Sequence, residues 1–581
     1  MPEISAFGFM GSEASQALFG ANVLATRLDL EQGGDYDRVI EQLGIGTFRY
    51  PGGSLTERYF DIANPNAGTV VDRDTGETRD FIPLNEALSY AGQEGLSVTI
   101  VIPTRNLLSD MADENGDRFA AIDDDVLRGF VRDVVGGVHG EAEIEAFEIG
   151  NEYWGSGQMS SIEYGRLASQ MARVVDDELT ALNHDADIIV QSGTNFDFAR
   201  LSDGVDEDMS GAEILADLND TYGLDLGEDS LFGSGAVNWT HVANEMILSE
   251  FDTAEERASV DQIAVHVYSR GQVNESQRSF MLNTADETWG EDIPEARIAA
   301  TEWNTAGNSG SLDRTEDYGL FQAQEMLNVM EEFLRYDVEQ AHVWPLIQNT
   351  PNTLSVDDGQ ADLSPGGAMF AMMQDALPGK TALDLTPERG ADTEAEEDGV
   401  AVHGFWEPDE LLFYIAATGE AGARTSVDLS ALASDPGEIE VTHLGVADGA
   451  EAGSSRSDAV VSALDPEEVM EGTTLGVDLR AGEILELRMF GFTPSREFQS
   501  LISQEAPEDL PDPMIEADAA EAIAPEMPLP TIPFDAAEQE RLAAQQSDEM
   551  AEEETEDEGD LAGLGDLMAA IPFLGLLAYF M

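Results

Sequence analysis

Eight short apolar runs, often β-branched and separated by helical patterns, constrain this chain more than any other feature. They are "LFGANVLA" from Leu18, "IGTFRYPGG" from Ile45, "LSVTIVIP" from Leu96, "IEAFEIGNE" from Ile144, "DIIVQSG" from Asp187, "DQIAVHVY" from Asp261, "RIAATEWN" from Arg297 and "QAHVWPLI" from Gln340. Near-continuous apolar strands alternating with helices have to be covered on both faces, the condition of a parallel sheet. The intervening "PLNEALSYAGQEG" and "SSIEYGRLASQMARVVDDEL" carry apolar residues at helical spacing, and the first stops at glycine. Such units over residues 1–370 predict an α/β chain with a (β/α)8 barrel. The rival, an open doubly wound sheet, lacks a G-x-G-x-x-G after its first strand. The acidic segment 200–260 is expected as an elaborated loop.

After about residue 375 the texture changes. "GVAVHGFWEPDELLFYIAATG", "TSVDLSAL", "EIEVTHLG" and "GEILELRMFGF" are short alternating strands between Gly, Pro and Asp turns. They predict a β-sandwich over 375–495. Residues 496–560 are Pro-, Ala- and Glu-rich and too poor in apolar side chains to fold alone, so a disordered acidic linker is expected there. An apolar segment, 561–581, follows.

Charge narrows the partners. Against 117 acidic residues stand 27 basic ones, giving a net charge of -90, and Lys380 is the only lysine. So anionic a surface excludes nucleic acid, because phosphate would be repelled, and suits salty surroundings. The chain has no cysteine, so thiolate metal sites and cysteine nucleophiles are excluded, and its seven histidines form no H-E-x-x-H pattern. Neither a cofactor nor a metal is expected. "MPEISAFGFMGSEAS" lacks the basic start and apolar run of a secretory signal. The segment 561–581 is long enough to span a bilayer, but Asp566, Pro572 and the lack of flanking Lys or Arg oppose a membrane anchor. It resembles the uncleaved C-terminal signal of type I export substrates, which predicts a secreted or cell-surface protein. A cytoplasmic protein with a partner-binding tail is the alternative.

In a (β/α)8 barrel, functional residues sit at the C-terminal ends of the strands. Glu152 holds that position after the fourth predicted strand and Glu302 after the seventh. Two glutamates facing each other across a barrel mouth fit glycoside hydrolysis, in which one protonates the leaving oxygen and the other attacks carbon or activates water. Trp154, Trp303 and Trp344 lie beside these ends, and aromatic faces stack on the apolar faces of sugars, although each of the three also suits a core. Tyr268, two residues after His266, can donate its hydroxyl to the nucleophile.

"GNE" after strand four, "H-x-Y" after strand six and "EW" after strand seven resemble the retaining glycosidases of clan A. "FRYPGGS" after strand two is most similar to the α-L-arabinofuranosidases of glycoside hydrolase family 51, with families 39 and 79 as relatives. The resemblance runs from Leu18 to the end of the sandwich. It implies Glu152 as acid/base, Glu302 as nucleophile, Asn151 as donor to the sugar 2-hydroxyl, and Arg49 as support for the nucleophile, with His266 and Tyr268 as the strand-six pair. Two positions depart from the family. Leu24 stands where a first-strand glutamate is usual, and Ser54 replaces the asparagine of "PGGN". Both changes concern groups that touch the sugar, so a glycosidase of plant or algal polysaccharide, or of its oligosaccharides, is expected with its sugar open. A catalytically inactive carbohydrate-binding or adhesive protein on the same barrel is the alternative.

Overall fold

The computed structural model describes residues 3–505 except 27–29, 207–208, 272–276, 308–311, 356–360, 387–394, 398 and 420. The expected acidic linker beyond Glu505 and the apolar segment 561–581 lie outside the described residues.

Eight parallel strands close into a barrel: β1 (Gly20–Asn22), β2 (Thr47–Tyr50), β3 (Ser97–Ile102), β4 (Glu143–Ile149), β5 (Asp187–Gln191), β6 (Gln262–Ser269), β7 (Arg297–Thr305) and β8 (Val338–Val343). Every apolar run singled out in the sequence supplies one of them. Closure is made by His342 opposite Gly20 and Val343 opposite Ala21. Helices cover the outside, among them α1 (Asp35–Leu43), α2 (Leu84–Glu94), α3 (Asp124–Val135) and α4 (Ser161–Leu182). The start of α4 is fixed by a capping box in which Ser160 and Glu163 satisfy each other's backbone N–H. The segment 200–260 is not simply a loop. It folds into the helices Gly211–Tyr222, Trp239–Leu248 and Ala254–Ala258, with a small apolar cluster of its own around Leu215, Leu218 and Val242.

The barrel interior changes character along its axis. Three alanines, Ala146, Ala264 and Ala299, form one apolar cluster with Ile189. Polar groups that satisfy one another form other clusters, as where Thr99 donates to Gln340 (2.9 Å) and Gln340 to Gln262 (2.8 Å). Two register slips matter for the site. β6 slips against β7 between Val265 and His266, and β7 slips against β8 between Ala300 and Trp303. A bulge shifts the phase of side-chain alternation. Thr301, whose hydroxyl reaches inward to Glu148, is therefore followed by Glu302, which also faces the interior.

The C-terminal part is a sandwich. Its larger sheet is antiparallel and runs from a short N-terminal strand, Gly8–Met10, through Thr381–Asp384, Val400–Glu407, Glu410–Ala417, Ile484–Phe490 and Glu438–Val446 to Ala459–Leu464. A smaller sheet of Ala423–Asp428, Thr474–Leu479 and Met470–Glu471 faces it across a core that includes Val427, Leu475, Val477, Phe413 and Leu485. Two boundaries differ from expectation. The N-terminal strand joins the sandwich rather than the barrel, and the first part of the expected linker is a helix, Arg496–Glu505, whose Phe498 is buried in the sandwich core.

Barrel and sandwich meet over a charged seam. Lys380 bridges Glu407 and Glu410, Arg488 binds Glu410 and Asp375, and Glu486 lies buried next to them. Burial pushes the Glu486 carboxyl up to about 7, with Asp375 and Glu410 adding to the effect against Tyr414 and Arg488. An acid raised in the folded state stabilises the fold below its unfolded pKa, and that contribution is lost as pH rises towards the folded value. Glu486→Gln is therefore expected to stabilise the protein by up to about 3 kcal/mol at pH 8 and to change little at pH 4. Urea melts at the two pH values measure this.

Candidate active site

The site is built outward from Arg49, which β2 places in the barrel with no exposure. A buried guanidinium is tolerated only when its charge is paired and its donors are met. All five N–H groups find acceptors. Nε donates to Glu148 Oε2 (2.5 Å), and Nη2 donates to Glu148 Oε1 (3.0 Å) and Asn151 Oδ1 (2.7 Å). Nη1 donates to Asn22 Oδ1 (3.0 Å) and Glu302 Oε1 (2.8 Å). Burial alone would make Arg49 release its proton more easily, but the charges of Glu148 and Glu302 outweigh it and raise the pKa further.

Glu302 is held at both oxygens, since the Tyr268 hydroxyl donates to Oε2 at 2.8 Å. Facing it, Glu152 follows β4 with a φ of 45°, a left-handed conformation unusual for a residue with a side chain and one that clusters at functional sites. His266, on β6, stands between the two carboxylates. Its Nδ1 is 3.2 Å from Glu152 Oε1 and 3.6 Å from Glu302 Oε2. Burial works against the imidazolium, but Glu302 and then Glu152 prevail, so the ring keeps its proton to higher pH than an ordinary histidine. The closest oxygens of Glu152 and Glu302 lie no more than 4.8 Å apart.

Asn151 is fully buried, and its Nδ2 has no protein partner. Because Oδ1 is taken by Arg49, the amide presents a donor, as a sugar hydroxyl would require. Its backbone N–H is fixed by Glu57 (3.1 Å), which also accepts from Thr104 and Arg105. Burial raises the Glu57 pKa, while those backbone donors oppose the rise.

The loop after β2 brings the chain close beneath the site. Gly52 and Gly53 have φ of 84° and 51°, and a Cβ on Gly53 would stand 2.8 Å from the Trp344 ring and 3.6 Å from Glu302 Oε1. Trp344 thus lies against this loop, partly exposed, on the side of Glu302. Trp154 packs edge-on to His266, with ring centroids 6.0 Å apart. Trp303 is elsewhere: it points out of the barrel into the helix layer, against Phe333 and Phe370, with no exposure. It is core and not a sugar platform, because neighbouring strand residues face opposite sides and Glu302 takes the inner one. Leu24 is buried in the main core and Ser54 precedes the short helix Leu55–Tyr59, so neither adds a carboxylate or amide to the pocket.

Sequence reasoning brought Arg49, Asn151, Glu152, His266, Tyr268, Glu302, Trp154 and Trp344 to this end of the barrel, and the structure groups all eight. It missed Asn22, Glu57, Glu148 and Gln191. The available signal was a carboxylate inside an apolar strand, "AFEIG", where burial is costly and therefore has a reason. Glu152, His266 and Glu302 form the group of His and acidic side chains whose ligand atoms converge among the described residues. Their oxygens and Nδ1 already face Arg49, Tyr268 and one another, and we assign no metal to them.

No family model and no curated protein sequence matches this chain. Solved structures do match it. A family GH51 arabinofuranosidase from Xanthomonas axonopodis pv. citri is 16% identical, with a TM-score of 0.53 over 83% of this chain and 97% of its own. A thermostable GH51 α-L-arabinofuranosidase from Thermotoga petrophila RKU-1 is 13% identical, with a TM-score of 0.56 over 84% of this chain and 99% of its own. A bifunctional glucanase-xylanase from a metagenome library is 12% identical, with a TM-score of 0.50 over 85% and 99%. The expected likeness to family 51 is thus present in the fold, barrel and sandwich together.

Proposed function

We propose that this protein is a retaining glycoside hydrolase. The separation of the two carboxylates carries the reading. A separation of about 5 Å between the carboxyl groups suits direct attack and about 6.5–9.5 Å admits a water for inversion, and an approach of the nearest oxygens to within 4.8 Å favours the first. Glu302 forms a bond to the anomeric carbon as the bond to the leaving oxygen breaks, and Glu152 gives that oxygen its proton. In the second step Glu152 takes a proton from water, which displaces Glu302 and regenerates the free carboxylate. Arg49 and Tyr268 hold the nucleophile in line, Asn151 offers its N–H to the sugar, and Trp344 walls the ring.

The similar solved structures are arabinofuranosidases and related glycosidases by name, which supports the reaction class. Leu24 and Ser54 replace groups expected to touch the sugar, so the test spans several sugars. Aryl arabinofuranosides, xylosides, galactosides and glucuronides are incubated with the protein at low and high salt, and the anomer first released is read by proton NMR. Turnover with retained configuration, unaffected by EDTA, is expected. Inverted product, or activity lost to EDTA and restored by a divalent cation, would overturn the mechanism. Binding of aryl glycosides and of polysaccharides without cleavage of either would establish the inactive carbohydrate-binding protein instead.

A further inference from the structure

The proposed reaction moves charge within a buried network, and one member of that network takes no direct part in it. Glu148, on β4, has no exposure, and four donors converge on it: Nε and Nη2 of Arg49, Gln191 Nε2 at 2.5 Å and Thr301 Oγ1 at 3.2 Å. Arg49 is therefore shared, with two of its bonds on Glu148 and one on Glu302. When Glu302 attacks, its carboxylate becomes a neutral ester. The leaving oxygen takes the proton of Glu152, so the negative charge moves from the Arg49 side of the pocket to the His266 side. A buried arginine paired only with Glu302 would at that moment lose its counter-ion, a costly state in a low-dielectric interior.

Resting on the glycosidase reading, we infer that Glu148 is a positioning residue that serves as the permanent counter-ion of Arg49. It leaves the guanidinium neutralised in the glycosyl-enzyme and keeps Glu302 from being quenched by a one-to-one ion pair in the free enzyme. The other charged or titratable groups facing Glu302 are Glu152, after β4, and His266 and Tyr268 on β6, while His342, on β8, feels the charge of Arg49. Burial, and then Arg49, hold His342 down to about 3, so it is neutral and does not share the role.

The test measures kcat/KM against pH. Glu148→Gln keeps the shape and removes the charge, leaving Arg49 to Glu302 alone. The acidic limb is expected to move to lower pH by roughly one unit and the plateau to fall by about 10–100-fold, because the nucleophile becomes less basic. Gln191 already touches Glu148 through Nε2, while its Oε1 accepts the Glu152 backbone N–H at 3.1 Å. The pair Glu148→Gln with Gln191→Glu therefore returns a carboxylate to the same spot, and both limb and plateau are expected to recover. Gln191→Glu alone adds a charge and is expected to raise the acidic limb, which tests the inference even if Glu148→Gln does not fold. An unmoved acidic limb in the single variants, or activity lost without recovery in the pair, overturns the counter-ion role while leaving the glycosidase reading intact. A wild type that cleaves no glycoside overturns both.

Discussion

Glu302→Gln is expected to reduce turnover of whichever glycoside the protein cleaves by at least about 10⁴-fold, because the proposed bond to carbon is made by its carboxylate. The side chain keeps its size, its carbonyl oxygen can still accept from Arg49, and its amide N–H can donate to the Tyr268 hydroxyl in place of the lost bond, so the thermal midpoint should stay close to wild type. Glu152→Ala should behave differently. It removes the proton donor and general base but leaves the nucleophile, so substrates with good leaving groups should still form the glycosyl-enzyme and accumulate it. Azide, which needs no base to attack, should then restore turnover and yield a glycosyl azide of retained configuration. A Glu302→Gln variant as active as wild type, or a Glu152→Ala variant that azide does not accelerate, would reassign the roles.

Arg49→Met should have the largest effect on stability. It fills a similar volume but leaves Glu148 and Glu302 buried without their cation, and removing one partner of a buried ion pair costs about 3–5 kcal/mol. The loss should depend on pH. Without Arg49, the folded state favours protonated carboxyls, whose pKa rises above the unfolded value near 4.3. The variant's deficit should therefore be small near pH 4 and grow as pH rises. Urea unfolding at pH 4.5 and 8 measures it, and an equal deficit at both would show that Arg49 acts through packing alone. Activity should fall in any case, since Asn22, Asn151 and Glu302 all lose a donor from Arg49.

The barrel was legible because its strands are apolar on both faces, and each run from "LFGANVLA" to "QAHVWPLI" stands out against amphipathic neighbours. Glu152 and Glu302 were legible as carboxylates beside the ends of such runs. Trp303 was not, for a reason no pattern contains. Thr301 faces inward, so strict alternation would turn Glu302 outward and Trp303 back in, and the register slip between Ala300 and Trp303 reverses that phase. Glu57 was hidden differently: in "SLTERYF" it reads as a solvated helix residue, and only the tertiary fold brings Thr104, Arg105 and Asn151 onto its carboxylate. The helices of segment 200–260 were masked by their acidity, which suits their solvent-facing sides and dilutes the apolar period.

The short strand Gly8–Met10 has a consequence for how the molecule is made. Its hydrogen-bonding partner is Thr381–Asp384, on the far side of the whole barrel in sequence. During synthesis this strand leaves the ribosome before the barrel does, and its partner follows only after every barrel unit has emerged. Barrel and sandwich are consequently not beads on a string. A chain stopped at the end of the barrel would keep an unpaired edge, and separating the two halves at residue 370 would divide one sheet between two fragments.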